Sequence, residues 1–441
     1  MNKLEQYIND NYDGSPYWFE SECQDSWHID RIINSLNVMD YVDGKHEILK
    51  RGDVVWKNRH FKTRKIVLQY VKPILTFQNS FLLKNPVTLT SDDKGTLEKY
   101  KEIYKVGKYN NIDSKVLDLL LKYGEVYEYL YLDEDRKIKS HIIKACDSYP
   151  VYNENGDYIA FIEHYISSGV SFYRIYKNDI VEEYSDKGGD LYKAGEYPNL
   201  SGLPIVYILP SERDELKGRS DLEDWINIIN DMEDLLSKYM DSFYKFLNPL
   251  PTMTGTKLST GKNGEGGIDY DLVGQVLQLD HMSKFEFAVA DMDYNSFKEV
   301  YKTLHQNLLN ISMTPAISMN SMEISNLSET SMKILFYMAI AKANMTAKQL
   351  YNGFDERWKK IKKLLQMIDK DYKGYISCTF KFDIPANDKE IIENLNTLYT
   401  MGTISLETLL SQSPYIYDVT SEIQRLQEDK NDMDDVDNLV D

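Results

Sequence analysis

Cysteine is nearly absent: three residues in 441 (Cys23, Cys146 and Cys378), odd in number and far apart. No Cys-x-x-Cys occurs, which excludes a disulfide framework or a zinc knuckle and points to a reducing cytoplasm. Long apolar runs are missing too. The longest, Ile334–Ala341, falls far short of the roughly 20 residues that cross a bilayer, and the polar start MNKLEQYINDN has no signal-peptide core. No membrane partner is expected. Positive charge is also scarce: 51 Lys+Arg stand against 70 Asp+Glu, a net of −19. Affinity for a polyanion grows with the number of cationic contacts, so a broad, tight nucleic-acid-binding face is excluded.

Catalytic patterns are missing in the same way. Gly255-Thr-Lys-Leu-Ser-Thr-Gly261-Lys262-Asn263 is one residue too long for a P-loop and ends without the hydroxyl that binds magnesium. Asn9-Asp-Asn11-Tyr-Asp13-Gly14 approaches a calcium loop, but Asn takes the first ligand position and Pro16 falls inside it. Seven His residues include no His-x3-His pair, and no Gly-x-Ser-x-Gly or Gly-x-Gly-x-x-Gly occurs. No catalytic residue, metal-ligand set or cofactor site emerges.

What is present is tyrosine, 34 residues, a side chain suited to surfaces buried against other chains; a codon bias toward A+T-rich triplets accounts for it equally well, since Lys, Asn and Ile are also abundant. Charge is segregated along the chain. Residues 1–50 read as helical and carry 10 acids against 4 Lys+Arg, a net of −6. Gln427–Asp441 carries seven acids and one Lys, also −6, and reads as a disordered tail. Between them, Arg51–Leu75 holds seven Lys+Arg and one Asp. That stretch suits either a phosphate-contacting patch or a solvated face with Arg64, Lys65 and Lys72 turned away from Ile66, Tyr70 and Ile74; the solvated face is favoured.

Residues 125–210 read as β-rich, with strands expected at 126–132, 138–145, 158–165, 170–176 and 204–209, separated by Asn/Gly turns. After Gly218 the period changes to that of a helix. Leu222, Trp225, Ile229, Met232, Leu236, Tyr239, Phe243 and Leu247 make one stripe, stopped by Asn248-Pro249-Leu-Pro251. A Gly-rich excursion leads to a second helix at 295–311. Asn326 with Glu329 forms a capping pair that opens a third helix, reaching to Lys370. Its later stripe runs Leu350, Phe354, Trp358, Ile361, Leu365, Ile368. Such long rods are expected to need something to pack against. Tyr375–Ile384 alternates like a strand returning to the sheet lobe, and short helices close the chain. Segregated sheet and helices make the fold class α+β.

The order of these segments resembles the portal proteins of tailed bacteriophages, in particular those of long-tailed phages of Gram-positive bacteria. Tyr41-Val-Asp-Gly-Lys-His46, Phe81-Leu-Leu-Lys-Asn-Pro86-Val87, Tyr127-Glu-Tyr-Leu-Tyr131, and Pro204-Ile-Val-Tyr207 followed by Gly218-Arg-Ser-Asp221-Leu222 carry the likeness. So do Phe382-Asp-Ile-Pro385-Ala-Asn387 and Met401-Gly-Thr-Ile-Ser405. The pieces occur in family order from about residue 40 to 428. One departure is Ser328-Glu329-Thr330, where the family often has a small Ser/Thr-Gly pair.

The resemblance implies a wing (1–218, with 375–387 returning to it), a stem of two helices (219–248 and 294–312) and a clip between them (249–293). A tunnel loop (313–327), a long wing helix (328–370) and a crown with the acidic tail (388–441) would complete the chain. It further implies a ring of about twelve copies at one capsid vertex, through which double-stranded DNA passes without sequence specificity. The implied partners are the terminase large subunit, a head-completion adaptor, and the scaffold and major capsid proteins. No cofactor and no enzymatic activity of its own are implied. The expected tunnel-loop residues are Met313, Thr314, Pro315, Ser318, Met319, Asn320, Ser321, Met322, Ser325 and Asn326, uncharged and suited to touching DNA without gripping it. Lys298 and Lys302, on one helical face with His305, are candidate channel-lining cations or, equally, part of a solvated or inter-subunit face. Lys257, Lys262, Asp269, Tyr270 and Asp271 are candidate clip residues for partner docking. Rival readings are a cytoplasmic enzyme with an unrecognised carboxylate site and an open scaffold protein.

Overall fold

A computed structural model describes residues 2–56, 59–246, 250–254, 284–288, 293–315, 333–367, 372–382 and 388–413, with scattered positions between 415 and 427. The chain divides into two compact units: Met1–Leu75, Asp118–Tyr129 and Ile142–Ser312 form the first, and Thr76–Leu117, Leu130–His141 and Met313–Asp441 the second.

The first unit is built on a five-stranded antiparallel sheet. Its strands are β6 (Ser148–Tyr152), β7 (Tyr158–Ser167), β8 (Val170–Tyr176), β9 (Ile180–Ser185) and β10 (Tyr192–Pro198), in the order β10-β9-β8-β7-β6. Both faces are covered. Leu4 of α1 (Lys3–Tyr12) and Trp18 and Phe19 of α2 (Trp18–Cys23) pack on Val151, Ala160, Ile162 and Ile175. On the other face Phe161, Tyr176 and Val181 meet Leu203 and Tyr127 and Tyr129 of β4 (Glu125–Leu132). Burial on both sides explains why β7 runs Ile159-Ala-Phe-Ile162 without a polar alternate. The edge strand β10 is exposed along most of its length, with Lys193, Pro198 and a register shift at Lys193/Gly195, features that discourage further strand pairing.

Helix α3 (Ser26–Val42) joins this sheet to β4 through a charge. The Arg31 guanidinium is buried and donates to Glu125 and to the carbonyls of Ala145 and Ser148. A second buried cluster ties the N-terminal helices together: Glu22 accepts from the hydroxyls of Tyr7 (2.9 Å) and Tyr12 (2.7 Å) and faces His28 at 3.1 Å. Burial and this carboxylate push both tyrosine hydroxyls well above their ordinary range. Strand β11 (Ile205–Ile208) pairs antiparallel with β4, and the chain then enters α7 (Leu222–Phe246) through Gly218. A Cβ on Gly218 would lie 2.6 Å from the Gly124 carbonyl, so only glycine permits this approach.

The second unit is helical at its centre. Tyr100 and Tyr104 of α5 (Lys94–Gly107) and Tyr109 of α6 (Tyr109–Tyr123) pack with Leu350, Phe354, Trp358 and Ile361 of α9 (Tyr337–Gln366). The Trp358 indole donates to the Tyr104 hydroxyl at 2.9 Å. Two segments that carry the family likeness meet here, for Phe81, on α4 (Val71–Leu83), stacks on both Phe336 (5.8 Å) and Phe382 (5.9 Å). Helices α10 (Asp388–Thr400) and α11 (Leu406–Gln412) follow.

The expected strands at 126–132, 138–145, 158–165, 170–176 and 204–209 are present as β4, β5 (Ile138–Lys144), β7, β8 and β11; β6 covers Pro150-Val-Tyr152, whose segment resembles the family's sheet core, and β9 and β10 are additional. The strand expected over Tyr375–Ile384 is shorter. It is β14 (Ser377–Thr379), and it pairs with β3 (Thr88–Thr90) as a separate ribbon, outside the five-stranded sheet. The third long helix is described from 333, with a turn at Phe336 before α9; residues 326–332 and 368–371 lie outside the described residues. Asn9 and Asn11 lie inside α1, so the segment that approaches a calcium loop is helical and ends in a left-handed residue at Asp13.

Candidate functional site

Helices α7 and α8 (Tyr294–Ile311) lie side by side, and α8 carries Lys298, Lys302 and His305. Between them the chain leaves through β12 (Leu250–Thr254) and returns through β13 (Lys284–Ala288), paired from Leu250↔Ala288 to Thr254↔Lys284. The end of α7 lies beside the start of α8, where the rings of Tyr239 and Phe297 stack at 3.9 Å. Asp293 caps α8 by accepting from the Ser296 N–H at 2.9 Å, and the Ser296 hydrogen bonds hold its carboxyl below the usual range. Tyr301 and Tyr70 join their hydroxyls at 2.9 Å.

Part of the basic stretch, Arg64–Leu68, lies along α7 in a regular way. The N–H groups of Arg64, Ile66 and Leu68 donate to Asp241 (2.7 Å), Ser237 (3.1 Å) and Glu233 (2.7 Å). Every second residue of an extended chain thus meets every fourth residue of a helix. The spacings agree because two extended residues rise about 6.6 Å and four helical ones about 6.0 Å. Each carboxylate also holds a cation or an imidazole: Arg51 pairs with Asp241 at 3.1 Å and His46 Nδ1 meets Glu233 at 2.6 Å. The His46 ring stacks on Tyr41 at 3.8 Å, so the two ends of the Tyr41–His46 segment fasten on each other and on α7. This ladder escaped the sequence reading, because backbone N–H groups leave no mark in side-chain patterns.

Lys298 and Lys302 are exposed on α8, with no ion-pair partner among the described residues. His305, expected on the same face, is half-buried against the Tyr70 ring at 5.4 Å, and burial lowers its pKa from the ordinary 6.5. The loss of solvent around the ring disfavours its charged form, in contrast to the two exposed lysines. Met313, Thr314 and Pro315 are half-buried just beyond α8, where Ser312 closes the helix and Met313 adopts a left-handed φ of 51°. Ser318, Met319, Asn320, Ser321, Met322, Ser325 and Asn326 lie outside the described residues, as do Lys257, Lys262, Asp269, Tyr270 and Asp271. Arg64, Lys65 and Lys72 are exposed while Ile74 is buried and Ile66 and Tyr70 half-buried, the arrangement of a solvated face.

The buried carboxylates are engaged in holding elements together. Glu125 meets Arg31, Glu128 accepts from the Tyr207 hydroxyl at 2.6 Å, Glu163 from that of Tyr176 at 2.8 Å, and Asp113 pairs with Arg357. Among the described residues no three His, Cys, Asp or Glu side chains form a group suited to a metal ion.

The family model for phage portal proteins described as SPP1 Gp6-like matches residues 25–435. The portal protein of Bacillus phage SPP1 is 21% identical over 391 residues, covering 80% of this chain and 74% of that protein. Among solved structures, a chain from the virion of a native gene transfer agent particle aligns with a TM-score of 0.48 and 9% identity, over 85% of this chain and 91% of its own. A chain from the neck of the native particle, computed with C12 symmetry, aligns with a TM-score of 0.49 and 9% identity, over 78% and 89%.

Proposed function

The chain belongs to the phage portal proteins of the SPP1 Gp6-like family, and we propose from this that it assembles into a ring of about twelve copies at one capsid vertex. The ring conducts double-stranded DNA inward during packaging, retains it, and passes it out on ejection. The observation that carries this reading is the family match over 25–435, which takes in every long helix and sheet described above. A separate ATP-driven terminase supplies the work, so this chain needs no catalytic residue or cofactor. Terminase and the head-completion adaptor would dock at the clip, residues 249–293, and the scaffold and major capsid proteins would meet the outside of the ring. The ring would assemble in the host cytoplasm and remain in the virion.

The helices α7 and α8 are assigned to the stem, and 313–327 to the tunnel loop. Each phosphate contact adds affinity, and a ring multiplies each contact by its copy number. A channel therefore works best with few cations per copy. Lys298 and Lys302 fit that demand, as does the uncharged sequence Met313–Met322.

Mass photometry and negative-stain imaging of the purified chain test the reading. Closed rings with an axial hole, near 12 × 51.5, or roughly 620 kDa for the family's copy number, are expected. A monodisperse monomer or dimer at micromolar concentration overturns it. Shortening residues 316–324 should leave rings intact and lower the yield of DNA-filled particles by at least tenfold. Normal yield from that variant removes the tunnel-loop assignment.

A further inference from the structure

Helix α3 is amphipathic in the reverse sense. Its inward face carries His28, Arg31, Ser35, Val38 and Tyr41, three of them polar or charged and all buried. Its outward face carries Ile29, Ile33 and Leu36, which are 42%, 49% and 41% exposed. The spacing of four and three places these three on one stripe about two turns long. A helix normally turns its apolar stripe inward. Here the inward positions serve the Arg31–Glu125 and His28–Glu22 contacts, and the apolar side chains are left facing out.

A second face of the same unit is its complement. Leu49 and Val54 are 42% and 45% exposed. Thr63 binds Gly52 and Asp53, and the Lys65 ammonium binds the Leu49 carbonyl at 3.0 Å, so 49–54 and 62–65 form one patch with exposed Lys62 and Lys65. The charges beside the two patches are opposite: exposed Asp30 flanks the α3 stripe, and exposed Lys62 and Lys65 flank Leu49 and Val54.

We propose that the Ile29–Ile33–Leu36 stripe of one copy packs on the Leu49–Val54–Lys65 face of the next copy, as a head-to-tail contact. A closed ring requires two unlike, mutually fitting faces on every subunit. Two exposed apolar patches of opposite surrounding charge on one unit meet that requirement. The occupant of the stripe is therefore a second copy of this chain. This inference rests on the ring reading, and assigns to the basic stretch a protein partner in place of DNA phosphate.

The test pairs Ile33→Cys with Leu49→Cys in the full-length chain, oxidised after ring isolation. A disulfide forms only where Cα atoms approach within about 7 Å. A ladder of covalent dimers and higher species on a non-reducing gel is expected, absent from either single variant, which controls for the three native thiols. Ile33→Glu combined with Leu36→Glu should raise the concentration for half-assembly at least tenfold, with the circular dichroism melt of the unassembled chain unchanged. Wild-type rings without a ladder, together with unaltered assembly of the glutamate variant, overturn this contact alone. Absence of wild-type rings overturns the ring reading itself, so the two failures are distinct.

Discussion

Replacing Arg31 with methionine is expected to lower the thermal midpoint of the first unit by roughly 10 °C, from a loss of about 3–5 kcal/mol. The arginine is 2% exposed and Glu125 wholly buried, and the side chain spans three acceptors: Glu125 and the Ala145 and Ser148 carbonyls. Methionine fills much of the volume but strands a carboxylate in the interior. Tyr127 and the Gly218 N–H reach its other oxygen only at 3.4 Å each, too long to compensate. The cost thus lies in the unpaired acid. Replacing both partners, Arg31→Met with Glu125→Leu, should recover most of the midpoint, because the desolvation of both charges disappears together. Differential scanning fluorimetry of the single and double variants checks this. A single variant within about 2 °C of wild type contradicts it.

The second large effect belongs to the other unit. Arg357 is completely buried, pairs with Asp113, and presents its guanidinium to the rings of Phe354 (4.6 Å) and Tyr109 (5.1 Å). Arg357→Ala should cost about 3–5 kcal/mol by leaving Asp113 buried without its cation. Arg357→Lys should recover only part of this. An ammonium carries the charge but lacks the planar surface that rests on the two rings. Hydrogen exchange by mass spectrometry reads the result locally. Protection should fall in α5, α6 and α9 and stay unchanged in the five-stranded sheet. Full protection in the Lys variant would show that the ring contacts contribute little.

Both arginines mark the limit of what the sequence discloses. The stripes of α7 and α9 and the strands β4, β7 and β8 are legible because apolar residues repeat at 3.6 or alternate with turns between them. Strand β9, Ile-Val-Glu-Glu-Tyr-Ser, hides its register behind two acids, and β10 is a polar edge with no core side to betray it. Arg31 and Glu125 lie 94 positions apart, and Arg357 and Asp113 244 apart; nothing local announces either pair. The long rods are covered along part of their length only. Leu350, Phe354, Trp358 and Ile361 are buried, as are Leu222, Trp225, Ile229 and Met232, while Phe243 of α7, Val300 of α8 and Met345 of α9 stay exposed. Helix α3 adds an exposed apolar stripe of its own, where the inward charges reverse the usual rule. Of the expected channel and clip residues, the two lysines and Met313–Pro315 have a described setting, and the remainder fall outside the described residues.

The ladder of Arg64, Ile66 and Leu68 on Asp241, Ser237 and Glu233 behaves like a vernier, two scales of slightly different pitch. Each step accumulates a mismatch of about 0.6 Å, so the rungs coincide over only a short length before they drift out of reach. Three rungs are close to the most such a joint can hold. The same two carboxylates, Asp241 and Glu233, also hold Arg51 and His46, so one face of α7 fixes the register of two separate stretches of chain at once.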